Sequence, residues 1–275
     1  MTVKRIKKHF LIVSRRLNQK AELRRMAKHQ NQTLEKVLTS FLTVKHRKID
    51  HEDQSAFEHC ENYRSTLFDD KTEVSYDIFG LDKTARVMEI CKNAPSSKRW
   101  CEFLYFIIKN TSAPICLEIG TNLGMSGSYI LEAMKHKEAS KFVTMEGLPQ
   151  LCTISSKQFS SIVPASKFEV KQGLYDQTFP ELLKENVNFN ILFIDGNHKK
   201  KPTLEYFEQL KSNVSSPAIF IFDDINWSDE MKEAWEIIKK DPEVNYTLDL
   251  YEQGIVIIDN NESEKNVDFS LHLAY

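Results

Sequence analysis

The sequence predicts an α/β protein: a doubly wound, Rossmann-like, mostly parallel sheet of seven strands with a C-terminal antiparallel hairpin, preceded by a helical N-terminal region. Three observations predict it. From Ile115 onward, short apolar runs (115–119, 141–146, 167–172, 190–195, 218–223) alternate with helical patterns (124–136, 149–161, 177–185, 202–212, 229–240). Strands separated by helices pair in parallel and carry those helices on both faces of the sheet. The first run ends in a turn with Gly120 and Gly124, after which Met125, Tyr129, Ile130 and Met134 recur at helical spacing. The last two runs, Tyr246–Leu250 and Ile255–Asp259, are joined only by Tyr251–Gly254, too short for a parallel crossover, so they must form a hairpin.

The region before Ile115 reads as helical. Over residues 3–28, Ile6, Phe10, Val13, Leu17 and Ala21 form one apolar stripe between lysines and arginines. Such a helix suits a membrane surface, nucleic acid or a partner helix, but packing of the stripe on its own domain or on a partner subunit is the plainer expectation. Aromatic residues do not interleave with the charges, which disfavours recognition of single-stranded nucleic acid. Thr33–Val44 continues helically, and His46–Asp53 is a polar break. Residues 54–110 are expected to be mostly helical, with an irregular section from Phe68 to Gly80, a loop at Ala94–Ser97 and an apolar helix at Trp100–Ile108. The expected organisation is a basic arm (1–50), a helical cap region (51–110), the Rossmann-like domain (111–262) and a C-terminal tail (263–275).

Composition narrows the function classes. A chain of 275 residues with 41% hydrophobic content can bury a sizeable core, and its apolar runs fall short of the ~20 residues that span a bilayer. The five cysteines are odd in number and contain no Cys-x-x-Cys, so reduced thiols in a cytoplasmic protein are expected rather than a disulfide framework or zinc site. The net charge of −2 divides into +11 over residues 1–50 and −13 over the remainder. A basic arm of this kind meets something anionic: the chain's own acidic domain, another copy in a homo-oligomer, or an anionic partner.

The chemistry is expected at the carboxyl ends of the strands, where open α/β sheets bind ligands. Gly120, Thr121, Asn122 and Gly124 form the first turn, and Ser126 can donate a hydrogen bond at the helix start. Glu118, two residues before Gly120, repels a pyrophosphate and attracts a cation. The nucleotide-like metabolite with a cationic amine, a sulfonium and no phosphate is S-adenosylmethionine. Glu146 ends the second strand 22 residues past Gly124, about where a dinucleotide fold places its ribose-binding acid. Strands four and five end in Asp195-Gly-Asn-His198 and Asp223-Asp224-Ile-Asn-Trp, which should line the same crevice as Gly120. Asp195, Asp223 and Asp224 are hard oxygen donors suited to Mg²⁺, Ca²⁺ or Mn²⁺. Alternatively, Asp195 organises its turn while the other two cap the next helix.

Leu117-Glu-Ile-Gly-Thr-Asn-Leu-Gly-Met-Ser126, Glu146-Gly147, Phe193-Ile-Asp-Gly-Asn-His198 and Asp223-Asp-Ile-Asn-Trp-Ser228 together resemble bacterial class I methyltransferases of the small-molecule O-methyltransferase type. These are relatives of catechol and caffeoyl-CoA O-methyltransferases, and the resemblance covers about residues 100–259. It implies that Glu118, Gly120 and Ser126 meet the methionine part of S-adenosylmethionine, that Glu146 takes the ribose hydroxyls, and that Gly173 and Tyr175 lie near the adenine. It places Asp195, Asp223 and Asp224 at the positions of the family's ligands for Mg²⁺ or Mn²⁺, with Asp224 where an Asn is usual. His198 stands three residues after Asp195, where metal-dependent relatives keep a catalytic lysine, so His198 with Asp195 is the expected catalytic pair for a small-molecule acceptor. Two other readings compete. A non-catalytic ligand-binding protein would keep the same fold. An NAD(P)-dependent oxidoreductase would want a third glycine, and the sole Tyr-x-x-x-Lys, Tyr105 to Lys109, precedes the glycine turn.

Overall fold

Two helices open the chain. The computed structural model describes residues 3–185 and 187–273. Helix α1 (Val3–Met26) buries Ile12, Arg15, Gln19 and Met26, while Phe10, Val13 and Leu17 are exposed. Of the two expected neighbours for the Phe10–Val13–Leu17 stripe, its own domain and a partner subunit, the first is corrected; the side chain of Ile6 lies outside those described. The reason is polar. Arg15 donates to Asp249 through Nη1, at 2.7 Å to Oδ1 and 3.0 Å to the backbone oxygen, and Gln19 accepts from the His272 amide at 3.0 Å. These fixed partners decide which face turns inward. Helix α2 (Gln32–Lys45) starts where Asn31 Oδ1 accepts from the Thr33 and Leu34 amides, and it buries Leu34, Val37, Phe41 and Val44.

The chain divides into two units, residues 1–45 with 190–275, and residues 46–189. The second begins with α3 (His51–Leu67), for which Asp50 and Asp53 form a reciprocal capping box, so the polar break is shorter than the sequence suggested. The section expected to be irregular holds a small antiparallel hairpin, β1 (Glu73–Ser75) and β2 (Thr84–Arg86), with a 3₁₀ turn at Asp77–Phe79. Helices α4 (Val87–Asn93) and α5 (Lys98–Lys109) follow; α5 is buried from Trp100 to Ile108. Then come β3 (Ile115–Ile119), α6 (Met125–Met134), β4 (Lys141–Glu146), α7 (Pro149–Ile162), β5 (Phe168–Gln172) and α8 (Tyr175–Lys184). Strands β3, β4 and β5 are neighbours in that order and run parallel, with Glu118 opposite Thr144.

The first unit resumes with β6 (Phe189–Ile194), α9 (Lys200–Lys211), β7 (Val214–Phe222), α10 (Asp229–Ile238), β8 (Tyr246–Asp249), β9 (Gly254–Ile258) and β10 (Val267–Ser270). Its strand order is β10-β8-β9-β7-β6, and β9 runs antiparallel to both β7 and β8, which is the expected terminal hairpin. The sheet has eight strands rather than seven. The addition is β10, parallel to β8, which buries Phe269. Its four residues are too few to show a period in sequence. Continuous apolar runs such as Ala218–Phe222 are wholly buried, as in sheets covered on both faces. Among the described residues, no helix is long and apolar enough to cross a membrane.

Candidate active site

In the second unit, the turn after β3 is tied to the end of β4. The Gly120 and Thr121 amides both donate to the Met145 oxygen at 3.1 Å, and the Asn122 amide donates to Glu146 Oε2 at 2.8 Å. Asn122 has φ 49°, and its Oδ1 accepts from the Leu123 amide at 2.7 Å. The Leu148 amide donates to Glu146 Oε1 at 2.9 Å, and the Gly173 amide to the Glu146 backbone oxygen at 2.9 Å. Two backbone amides thus orient the Glu146 carboxylate and leave it further lone pairs for hydroxyl donors. Burial raises its pKa, and the amides of Leu148 and Asn122 partly offset that rise.

Glu118 lies beneath this turn and is fully buried. Ser126 Oγ donates to its Oε1, and Thr144 Oγ1 donates to its Oε2 at 2.7 Å. Thr144 is in turn bonded to Thr121 Oγ1 at 2.6 Å. Burial pushes the Glu118 carboxyl up to about 7; the two hydroxyls oppose the rise and the charge of Glu146 adds to it. A carboxyl so placed ionises readily only when a cation arrives. Gly124 starts α6 at φ 74°, and a Cβ there would lie 2.9 Å from both Phe159 Cε1 and Ser155 Cβ.

Sequence reasoning missed three side chains of this region. Thr144 interrupts an apolar strand at a buried position, a signal the sequence does carry. Tyr63 donates from its hydroxyl to the Leu123 oxygen at 2.7 Å, which steadies the far side of the turn. Phe79 rests on Gly147, where a Cβ would come within 3.0 Å of its Cζ. Tyr175 opens α8, two residues after Gly173.

In the first unit, the loops after β6 and β7 hold the acidic residues. His198 Nε2 is 3.4 Å from Asp195 Oδ1, and the Asp223 amide donates to the Ile194 oxygen at 3.0 Å. Asn197, His198 and Asp224 all have positive φ (65°, 35° and 55°), a conformation concentrated where a loop is held for function. Burial, and then the charges of Asp195 and Asp224, hold the Asp223 carboxyl well above the usual range, while Gln253 Nε2 donates to its Oδ1 at 3.1 Å. Burial also raises Asp224, against the influence of His198. Among the described residues, no group of three or more His, Cys, Asp or Glu side chains is arranged to hold a metal ion. The charges of Asp195 and Asp224 add to burial in raising Asp223, a repulsion that a proton or a cation would relieve.

Residues 117–225 match the family model Methyltransf_24, described as a methyltransferase domain. No curated protein matches. Among solved structures, an O-methyltransferase from Bacillus cereus in complex with SAH superposes with a TM-score of 0.53 at 21% identity, covering 61% of this chain and 84% of that one. The O-methyltransferase TomG from Streptomyces achromogenes, in complex with SAM, gives a TM-score of 0.53 at 17% identity, with coverages of 61% and 83%. Cofactor-bound Rv0187 from MTB gives 0.53 at 16% identity, covering 81% of this chain and 97% of that one. At these identities the likeness is one of fold. Residues 117–225 match a methyltransferase domain, and the chain has the fold of the O-methyltransferases to which it is similar.

Proposed function

We propose that the enzyme transfers a methyl group from S-adenosylmethionine to a hydroxyl oxygen of a small molecule, in the cytoplasm. The observation that carries the cofactor reading is the pair Glu146 and Glu118. One is a carboxylate oriented by the Asn122 and Leu148 amides with acceptor capacity to spare; the other is a buried carboxyl whose pKa of about 7 makes it responsive to a cation. A diol and an ammonium or sulfonium are what such a pair suits, whereas a pyrophosphate would meet two acids. Glu146 is assigned the ribose hydroxyls, the Gly120–Gly124 turn and Ser126 the amino-acid end, and Gly173 and Tyr175 the adenine side. The SAH- and SAM-bound states of the Bacillus and Streptomyces proteins support the same cofactor. Five free, buried cysteines support a reducing compartment.

When bound, the cofactor supplies an electrophilic methyl group on a sulfonium. The chain's own part is to orient the acceptor and take its proton. His198 is assigned as the base. Its Nε2 lies 3.4 Å from Asp195 Oδ1, so the Asp195 carboxylate stabilises the imidazolium formed when the ring takes a hydroxyl proton. No step is assigned to a metal ion.

The test is SAH release with a panel of small phenolic and other hydroxylated acceptors, in the presence of a chelator. Turnover should persist with the chelator, and His198→Ala should lower it by about 10²–10⁴-fold while SAH affinity stays within about twofold. Loss of turnover on chelation, restored by Mg²⁺ or Mn²⁺, would instead favour a cation recruited by Asp195, Asp223 and Asp224. SAH binding without turnover on any acceptor would favour a non-catalytic binding protein.

A further inference from the structure

Two surfaces of the first unit are incomplete as they stand. On α1, Phe10, Val13 and Leu17 are 77%, 52% and 79% exposed and lie on one side of the helix, with the exposed Arg16, Lys20 and Arg24 beside them. Arg15, Gln19 and Met26 hold the opposite side against the protein. Arg25 adds a bond to the Asp268 oxygen, so the helix cannot roll the stripe inward.

The second surface is a groove between α9 and α10 with a volume of about 360 Å³, floored by Leu204, Phe207, Ile237 and Ile238. Ile237 is 47% exposed. Glu205, Glu208 and Asp241 form its rim. The rim acids Glu208 and Asp241 share the Lys211 ammonium at 3.0 and 2.7 Å, and Glu205 pairs with Lys201 at 3.7 Å, so three rim carboxylates meet two cations and the rim keeps an excess of negative charge.

The two surfaces are complementary in shape, polarity and sign: a convex apolar stripe with basic flanks, and a concave apolar groove with an acidic rim. Because α1 is fixed with its stripe facing away from the strands it rests on, it leaves that stripe open to a second copy. Pairing of two α1 stripes is disfavoured, since both bring basic flanks together. We propose that the protein forms a homodimer in which α1 of each copy lays Phe10 and Leu17, two helical turns and roughly 10 Å apart, into the α9–α10 groove of the other. The reciprocal exchange makes the interface isologous and closed, so assembly stops at two.

Analytical ultracentrifugation of the full chain tests this. The wild type should sediment as a dimer that weakens with salt, because part of the contact is charge. Phe10→Glu/Leu17→Glu and, separately, Ile237→Glu should each raise the dissociation constant by roughly 30-fold or more without lowering the monomer's melting temperature, since all three side chains are at the surface. Mixing the two variants should give a heterodimer tighter than either variant's homodimer and weaker than the wild type, because one of its two contacts is intact. A wild type that stays monomeric, or a dimer unaffected by either variant, would overturn the proposal. So would a monomer that co-sediments through Phe10 and Leu17 with phosphatidylserine-containing vesicles but not with phosphatidylcholine alone, which would make the stripe a membrane face.

Discussion

A carboxyl group sealed from water resists ionisation, and Glu118 is sealed on all sides with only hydroxyls from Ser126 and Thr144 to stabilise its charge. Its folded pKa of about 7 stands above the usual 4.5, a difference worth roughly 3 kcal/mol. The sign follows from the direction of the shift. The contribution to stability is complete below pH about 4.5 and is lost as pH rises through about 7. The melting temperature of the ligand-free enzyme should therefore fall over that window, and Glu118→Gln should flatten the fall. A ligand with a cationic amine reverses the preference, so SAH binding at pH 6 should release a proton from the wild type and none from Glu118→Gln. Calorimetry in buffers of different ionisation enthalpy measures that proton. Equal proton release from both would remove Glu118 as the counter-charge.

Among the elements, the β3–α6 connection carries the most constraint. Gly124 at φ 74° must turn the chain while Phe159 and Ser155 of α7 crowd the space a side chain would need. Gly124→Ala adds left-handed strain of about 1–2 kcal/mol and overpacking of about 1–3 kcal/mol, so several degrees of melting temperature should be lost, together with SAH affinity. A variant as stable as the wild type would show that the turn relaxes at little cost. The sequence made this connection legible because strand, glycines and helix follow in one contiguous stretch. Thr144, Tyr63 and Phe79 were not legible as parts of the site, because their roles depend on pairings 23 to 68 residues apart along the chain, as for Thr121 with Thr144 and Tyr63 with Leu123. The metal reading drew on residue type, on the place of the acids at the strand ends and on the family resemblance. Whether three aspartates gather or stand apart is set by loop geometry, including the left-handed backbone of Asp224.

Over the whole molecule, the charge asymmetry is partly answered within the first unit. Arg15 pairs with Asp249 at 2.7 Å, and Lys8 with Glu252 at 3.4 Å, so the basic N-terminal helix meets acids of the C-terminal strands. The strands and the terminal hairpin were legible from apolar runs and loop lengths; β10 was not, because its four residues are too few to show a period, and the inward face of α1 was not, because it is set by partners more than two hundred residues away in sequence, such as Gln19 with His272. Apolar periodicity identified a true stripe on α1, which does not pack on its own domain. The central claim is that the turns after β3, β4 and β5 hold S-adenosylmethionine, with Glu146 on the ribose. Calorimetric titration with SAH and, separately, NADH tests it most directly. The account predicts saturable binding of SAH, none of NADH, and a loss of about 1.5–3 kcal/mol of SAH binding free energy in Glu146→Ala, or roughly 10- to 150-fold in affinity. Binding of NADH in preference to SAH, or SAH affinity unchanged by Glu146→Ala, would contradict it.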